Sequence, residues 1–328
     1  MVSKTFLIAL LSVTGLIPID LPAQDSGCTR RTIAVGVVDS AWNLVPGLSG
    51  VNFRGRIHGQ EVKLLSATLD TNPRRIFVLL DASGSMMDPD GGWWKTERNI
   101  SEYLIRFAPP RASIAFMGFT GTVLDTEGFA EDPQVLLKNL SALVKVCEQP
   151  QKARRTALYD AISSARDLLG ARDAGDVVCP LTDGGDNKSR IDPKKVEEAL
   201  LGAGVRLFGI VMSQELGGRG RTPAEPYGPA ELHSMIEATG GNALFVPYGA
   251  RSDPYKYMGA QTHADAVNLA LQRLFRQMGE FYRVEVRLPE VVEKPTKWKL
   301  EVIDAGGKPM RGVEIHYPQE LMPCPNVG

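Results

Sequence analysis

Apolar positions along this chain change period more than once. Ile33, Val35 and Val37 alternate with Thr32, Ala34 and Gly36, which predicts a strand with one buried face. Val62, Leu64 and Leu65 predict another. Residues 76–80 are apolar without a break, as suits a strand covered on both faces of a sheet. Then the spacing turns helical: Ile100, Tyr103, Leu104 and Phe107 fall at i, i+3, i+4 and i+7, and Pro109-Pro110 ends the pattern. Strands and helices alternate from there. Strands are predicted over 113–119, 177–181, 205–211 and 243–246, with a short edge strand over 121–124. Helices are marked by Leu136, Leu137, Leu140, Leu143 and Val144; by Leu158, Ala161, Ile162, Ala165, Leu168 and Leu169, stopped at Gly170; by Val196, Ala199 and Leu200; and by Leu232, Met235 and Ile236. A long helix over about 264–279 closes the series. Pro180 removes a ladder donor from its strand and predicts incomplete pairing there. Residues 217–229, rich in Gly and Pro, read as an irregular surface loop.

Beyond the long helix the period returns to two. Tyr282, Val284, Val286 and Leu288, then Trp298, Leu300 and Val302, then Val313, Ile315 and Tyr317 alternate with polar residues, and Ala305-Gly306-Gly307 reads as a hairpin turn. The expected fold is α/β: a doubly wound, mostly parallel sheet in residues 73–280. It is inserted in a small antiparallel β domain built by 24–72 and 281–328. No internal repeat is visible.

The uninterrupted strand ends in Asp81-Ala82-Ser83-Gly84-Ser85. That puts a carboxylate and two hydroxyls at its carboxyl tip, where open α/β sheets bind ligands. Such a D-x-S-x-S stretch could simply cap the next helix, since Asp and Ser are good N-caps. Yet it resembles the first loop of the metal-ion-dependent adhesion site of von Willebrand factor A domains. Thr156 in RRTALYDAI matches the threonine of that family's second loop, and Asp183 in VVCPLTDGGDN the aspartate of its third. The resemblance covers roughly residues 74–278. It implies that Ser83, Ser85 and Thr156 bind a metal ion directly and Asp81 and Asp183 often through water, with one position left for a partner's carboxylate. Two carboxylates and three hydroxyls, without His or Cys, suit a small hard cation: Mg²⁺, with Mn²⁺ or Ca²⁺ as substitutes.

In one place the chain departs from the family pattern. Arg154 and Arg155 stand where the family often has Gly before the threonine; two guanidinium groups there would favour an anionic partner or form a solvated rim. Trp93 and Trp94 fall near the same edge, and at least one is expected to be exposed as a binding anchor.

Composition narrows the rest. The chain has 328 residues, 43% apolar and 23% charged, with a net charge of −1, so neither nucleic acid nor an anionic membrane surface is an expected partner. Lys4, the apolar run 6–17 and Leu21-Pro22-Ala23 read as an export signal over 1–23, too short to span a membrane. The protein is expected outside the cytoplasm, periplasmic or extracellular. Four cysteines then allow three pairings. Cys28 and Cys324 are expected to be close, because both lie at the outer ends of segments assigned to one β domain. Enzyme patterns are absent: the stretch at Asp81 is no G-x-S-x-G elbow, and His58, His233, His263 and His316 fit no triad. The expectation is a non-catalytic module for metal-dependent binding of a protein or peptide with an acidic group. A metal-dependent hydrolase and a scaffold with an unused site are the alternatives.

Overall fold

The computed structural model describes residues 28–87, 93–150, 155–170, 174–214, 228–248 and 263–324. The expected export signal, the loop 88–92, Arg154 and most of the Gly/Pro-rich loop lie outside them. In chain order the elements begin with strands β1 (Arg30–Asp39), β2 (Phe53–Ile57), β3 (Gln60–Asp70) and β4 (Arg75–Asp81). Helices α1 (Gly84–Met87) and α2 (Trp94–Phe107) come after them, then β5 (Ser113–Phe119), β6 (Val123–Ala130), α3 (Pro133–Cys147), α4 (Leu158–Leu169) and β7 (Val177–Thr182). Next come α5 (Pro193–Ala203), β8 (Arg206–Leu207), β9 (Gly209–Gln214), α6 (Gly228–Ala238), β10 (Ala243–Tyr248) and α7 (His263–Gly279). The chain closes with β11 (Phe281–Arg287), β12 (Thr296–Val302), β13 (Val313–His316) and β14 (Glu320–Leu321).

The fold is mixed α/β. One sheet runs β10-β9-β7-β4-β5-β6, with every neighbour parallel except the edge strand β6. β4 sits at its middle, and Ile76 to Leu80 are all buried, as an unbroken apolar run requires. Its two sides face different helices. Ile76, Val78 and Leu80 pack with Ile100 and Leu104 of α2, Leu140 and Leu143 of α3, and Leu271 and Leu274 of α7. Phe77 and Leu79 pack with Leu158 and Ile162 of α4, Leu200 of α5 and Ile236 of α6. Each helix turns most of its predicted apolar stripe inward, so the sheet is covered on both faces, but Phe107, Leu137 and Leu168 fall off the buried stripes and are exposed.

The second sheet is antiparallel throughout, in the order β13-β1-β11-β3-β2-β12-β14. It interleaves strands from both ends of the chain over a core that includes Val35, Val37, Val284, Trp298 and Leu300. The sheets join through residues 71–74 and at Glu280, and they also touch directly. At Gly240 (φ +78°) a Cβ would lie 2.7 Å from the Tyr317 carbonyl carbon, so only glycine lets the two backbones meet there.

Four strand expectations are corrected. The edge strand runs over Val123–Ala130 rather than 121–124; most of its positions are exposed, so no alternation marked it. The strand at 205–211 is split into β8 and β9. β7 bonds to them at Val177–Val178 and at Leu181–Thr182, and the pairing lapses around Pro180. On its other side β7 pairs with β4 from Val177 to Leu181 without a break. The proline therefore interrupts one ladder of a central strand and leaves the other whole. Strands β2 and β14 were not expected: one carries Arg54 and Arg56 among few apolar residues, and the other is two residues long. Cys28 and Cys324 form a disulfide with Cα atoms 5.6 Å apart, while Cys147 and Cys179 are buried and take no part in a disulfide. Among the described residues no helix is long and apolar enough to cross a membrane.

Candidate functional site

The carboxyl ends of β4, β5 and β7 lie side by side because the three strands are parallel neighbours. Asp81 ends β4 and is fully buried. Its N–H donates to Glu97 Oε1 of α2 at 2.7 Å. Its carboxylate accepts the Ser83 N–H at 2.9 Å on Oδ1 and the Thr182 hydroxyl at 2.6 Å on Oδ2. The first of these is a tight turn, and it swings Ser83 and Ser85 together, with their hydroxyl oxygens 3.3 Å apart. Ser83 is buried and Ser85 exposed, so the pair leads from the floor of the site to its mouth. The Ala82 N–H donates to the Phe119 carbonyl at 2.8 Å and ties this loop to the end of β5.

Thr156 is brought to the same end by its backbone. Its N–H donates to Asn187 Oδ1 at 3.1 Å, the Asn187 N–H returns to the Thr156 carbonyl at 3.0 Å, and the Ala157 N–H donates to the Thr120 carbonyl at 2.7 Å. The second loop is thereby pinned between the end of β5 and the loop after β7. Asp183 opens that last loop, half-buried, and its Oδ1 accepts the Gly185 N–H at 3.1 Å. Gly184 takes φ +82° with Pro229 packed against it; a Cβ would fall 2.8 Å from the proline Cα, so the turn needs glycine on both counts.

Three carboxyl groups are concentrated here, and their burial and mutual repulsion favour the protonated form. Burial first, then the neighbouring Asp183 carboxylate, push the Asp81 carboxyl up to about 7 against the pull of the Thr182 and Ser83 hydrogen bonds. Burial and the Asp81 charge hold Glu97 well above the usual carboxylate range. Among the described residues no lysine or arginine pairs with Asp81, Asp183 or Glu97. Nor does any group of three or more His, Cys, Asp or Glu converge as a metal cage. The donor set is instead two carboxylates with adjacent hydroxyls, which fits a hard divalent cation and no soft one.

The rim differs from expectation. Trp93 is 4% exposed and packs into the core beneath α2. Trp94 is half-buried, and its indole N–H donates to Glu148 Oε1 at 3.0 Å, an oxygen that Arg98 also reaches at 3.0 Å. The tryptophans thus anchor the start of α2 to the core and to α3, and they form no exposed platform. Arg155 is exposed and, with Lys188, flanks Gly121 beside the second loop, so the described rim is basic on that side. Arg154 falls outside the described residues.

Four residues at this end carry no motif that marks them in the sequence: Glu97, Thr120, Thr182 and Asn187. Glu97 did offer a usable signal, since it lies on the stripe Trp93, Ile100 and Leu104, where a carboxylate is out of place. Thr120 acts through its backbone carbonyl, Thr182 through its hydroxyl on Asp81 and Asn187 through its amide oxygen on the Thr156 N–H, contacts that only the fold creates.

No family model and no curated protein matches the chain. Solved structures similar to it include the conserved hypothetical protein BatB from Bacteroides thetaiotaomicron (14% identity, 62% of this chain and 98% of that one, TM-score 0.44). A von Willebrand factor type A protein from Catenulispora acidiphila is also similar (14%, 89% and 74%, TM-score 0.44), as is the SpRpn10 VWA domain (12%, 60% and 94%, TM-score 0.40). These likenesses are distant, and the functional reading rests on the residues and sheet of this chain.

Proposed function

We propose that the protein is a metal-dependent binding module whose ligand is a protein or peptide with an exposed acidic group. The observation that carries this is the convergence of Asp81, Ser83 and Ser85 with Asp183 at neighbouring strand ends, with carboxylates that no cation of the described chain neutralises. Ser83, Ser85 and Thr156 supply hydroxyl ligands, and Asp81 and Asp183 supply charge, in the pattern of the von Willebrand factor A adhesion site. Mg²⁺ is the cation, with Mn²⁺ or Ca²⁺ as substitutes. When bound, the ion offers an electrophilic position to the partner's carboxylate. Arg155 and Lys188 at the rim favour the same anionic group.

The antiparallel sheet is read as a second unit that frames the first, and the protein as one that works outside the cytoplasm, where the Cys28–Cys324 bond persists. The test is capture of partners from the native surface proteome on immobilised protein, in Mg²⁺ and in chelator. Partners should be held in Mg²⁺, released by chelator and missed by Asp183→Ala. Capture indifferent to both chelator and substitution would overturn the reading, and turnover of ester or phosphate substrates that stops with chelator would replace it with a hydrolase.

A further inference from the structure

The disulfide lies on the second sheet, apart from the loop cluster, in surroundings unlike those of an inert staple. Cys28 precedes β1 and Cys324 comes after β14, and both are half-buried. Arg31, the second residue of β1, points Nη1 at Cys324 Sγ from 3.0 Å, and its Nη2 reaches the Met322 carbonyl at 3.4 Å. No carboxylate of the described chain answers this guanidinium. Glu320, on the same cleft, is engaged by Lys194 at 3.3 Å. Burial alone sets the Arg31 pKa, drawing it below the usual value. A partly desolvated cation without a counterion, in contact with a sulfur, is the arrangement that stabilises a thiolate. A cleft of about 270 Å³, lined among others by Arg31, Gly204, Pro318, Met322 and Cys324, opens beside the bond.

We propose that Cys28–Cys324 is a site of reversible thiol–disulfide exchange with a dithiol partner, in which Cys324 is the leaving sulfur and Arg31 its counterion. A thiolate of the partner attacks Cys28 Sγ. A mixed disulfide forms at Cys28 as the Cys28–Cys324 bond breaks, and the bonding pair leaves on Cys324 as a thiolate held by Arg31. The partner's second thiol then attacks the mixed disulfide, expels Cys28 as a thiolate that takes up a proton, and leaves the partner as its own disulfide. Two electrons pass from dithiol to protein. The rate of the first step rises as the leaving thiol becomes more acidic, which assigns Arg31 a positioning role with a kinetic signature. Opening the bond leaves residues 322–324 tied through Arg31 and through the two-residue pairing of β14 with Thr296 and Lys297.

The experiment uses the oxidised full chain, treated with dithiothreitol at neutral pH, then quenched by alkylation and mapped by mass spectrometry. Wild type, Arg31→Gln and Arg31→Lys are compared, and reduced glutathione replaces dithiothreitol in a second arm to capture the attacked sulfur. Arg31→Gln should slow reduction about fivefold, with Arg31→Lys close to wild type. Glutathione should be found on Cys28, with Cys324 alkylated. If Arg31 served only packing, its loss would loosen the segment and speed reduction. Equal or faster reduction in Arg31→Gln, or glutathione on Cys324, would overturn the proposal.

Discussion

The two ends of the parallel sheet both bury charge, but in opposite ways. At the amino ends of the strands, Arg75 pairs with Asp176, Arg74 reaches Asp70 at 2.6 Å, and Arg283 reaches the same carboxylate at 2.9 Å. Arg206 donates to the carbonyls of Gly175 (3.2 Å), Gln277 (3.0 Å) and Met278 (2.6 Å), and lies 4.3 Å from the Phe281 ring centroid. At the carboxyl ends, seven residues along β4 and so roughly 20 Å away, Asp81, Asp183 and Glu97 gather with no such answer. Charge that the fold neutralises from within belongs to the frame, here the seam where α7 hands over to β11. Charge left over points to something the chain expects from outside.

If that division is right, the largest stability loss should come from the seam. Asp70 is 5% exposed and serves two arginines. Burial tends to raise its pKa, but the Asn72 N–H, Arg283 and Arg74 outweigh it and hold the carboxyl below its usual 3.8. Removing one partner of a buried pair strands the other, so Asp70→Asn should cost about 3 kcal/mol in urea unfolding at pH 7. The sign with pH is set by the depressed folded value. The stabilisation is complete above the unfolded pKa and fades as pH falls through the folded one, so wild type and variant should converge in acid. A loss under about 1 kcal/mol at pH 7 would put the seam in the class of surface ion pairs and dissolve the contrast.

The middle effect belongs to the other end. Asp183 is half-buried in a loop, so water can replace its oxygen on the Gly185 N–H, and Asp183→Ala should leave the metal-free fold close to wild type because it also relieves repulsion with Asp81. Asp81 needs the gentler Asp81→Asn, since alanine would strand the Ser83 N–H and the Thr182 hydroxyl that its carboxylate accepts. Mg²⁺ at a hundredfold excess over its dissociation constant should stabilise wild type by about 2.7 kcal/mol and both variants by much less. Thermal unfolding with and without Mg²⁺ reads this directly, and equal shifts in all three proteins would place the ion elsewhere.

The same contrast shows what was legible in the sequence. Asp81, Ser83 and Ser85 could be named because a strand buried on both faces has to end abruptly, and polar residues at its tip stand out against the apolar run; Thr156 and Asp183 were named through the resemblance to the second and third loops of the adhesion site. The helices over 158–169 and 264–279 and the strand over 113–119 were legible for the same reason: dense burial writes a clear period. What hid was whatever lacks a burial pattern or borrows one. β6 is exposed along most of its length. Trp93 looked like a surface anchor by residue type, yet it lies on the inner stripe of α2. Glu97 escapes a pattern search because a carboxylate on a helix usually faces water. The seam was unreadable, since Arg74, Arg206 and Phe281 are far apart in sequence and only the fold brings them together.

The smallest effect tests whether Thr156 belongs to the uncompensated end as a ligand or only as part of its frame. Its backbone is held at both amide and carbonyl by Asn187, and the next residue by Thr120, so the loop's course does not depend on the threonine side chain. Thr156→Ala should therefore leave the metal-free protein close to wild type. A hydroxyl contributes a dipole where an aspartate contributes a charge, so Thr156→Ala should reduce the Mg²⁺-induced stabilisation by about 1 kcal/mol rather than abolish it. Thr156→Ser, which keeps the oxygen and drops the methyl, should preserve the response. The outcome that matters is the order of the shifts: wild type and Thr156→Ser together, Thr156→Ala below them, Asp183→Ala lowest. If Thr156→Ala responded to Mg²⁺ as fully as Thr156→Ser, the hydroxyl would not be a ligand. The resemblance to the three-loop adhesion site would then fail at its second loop, leaving the pair of aspartates and serines to account for any binding on their own.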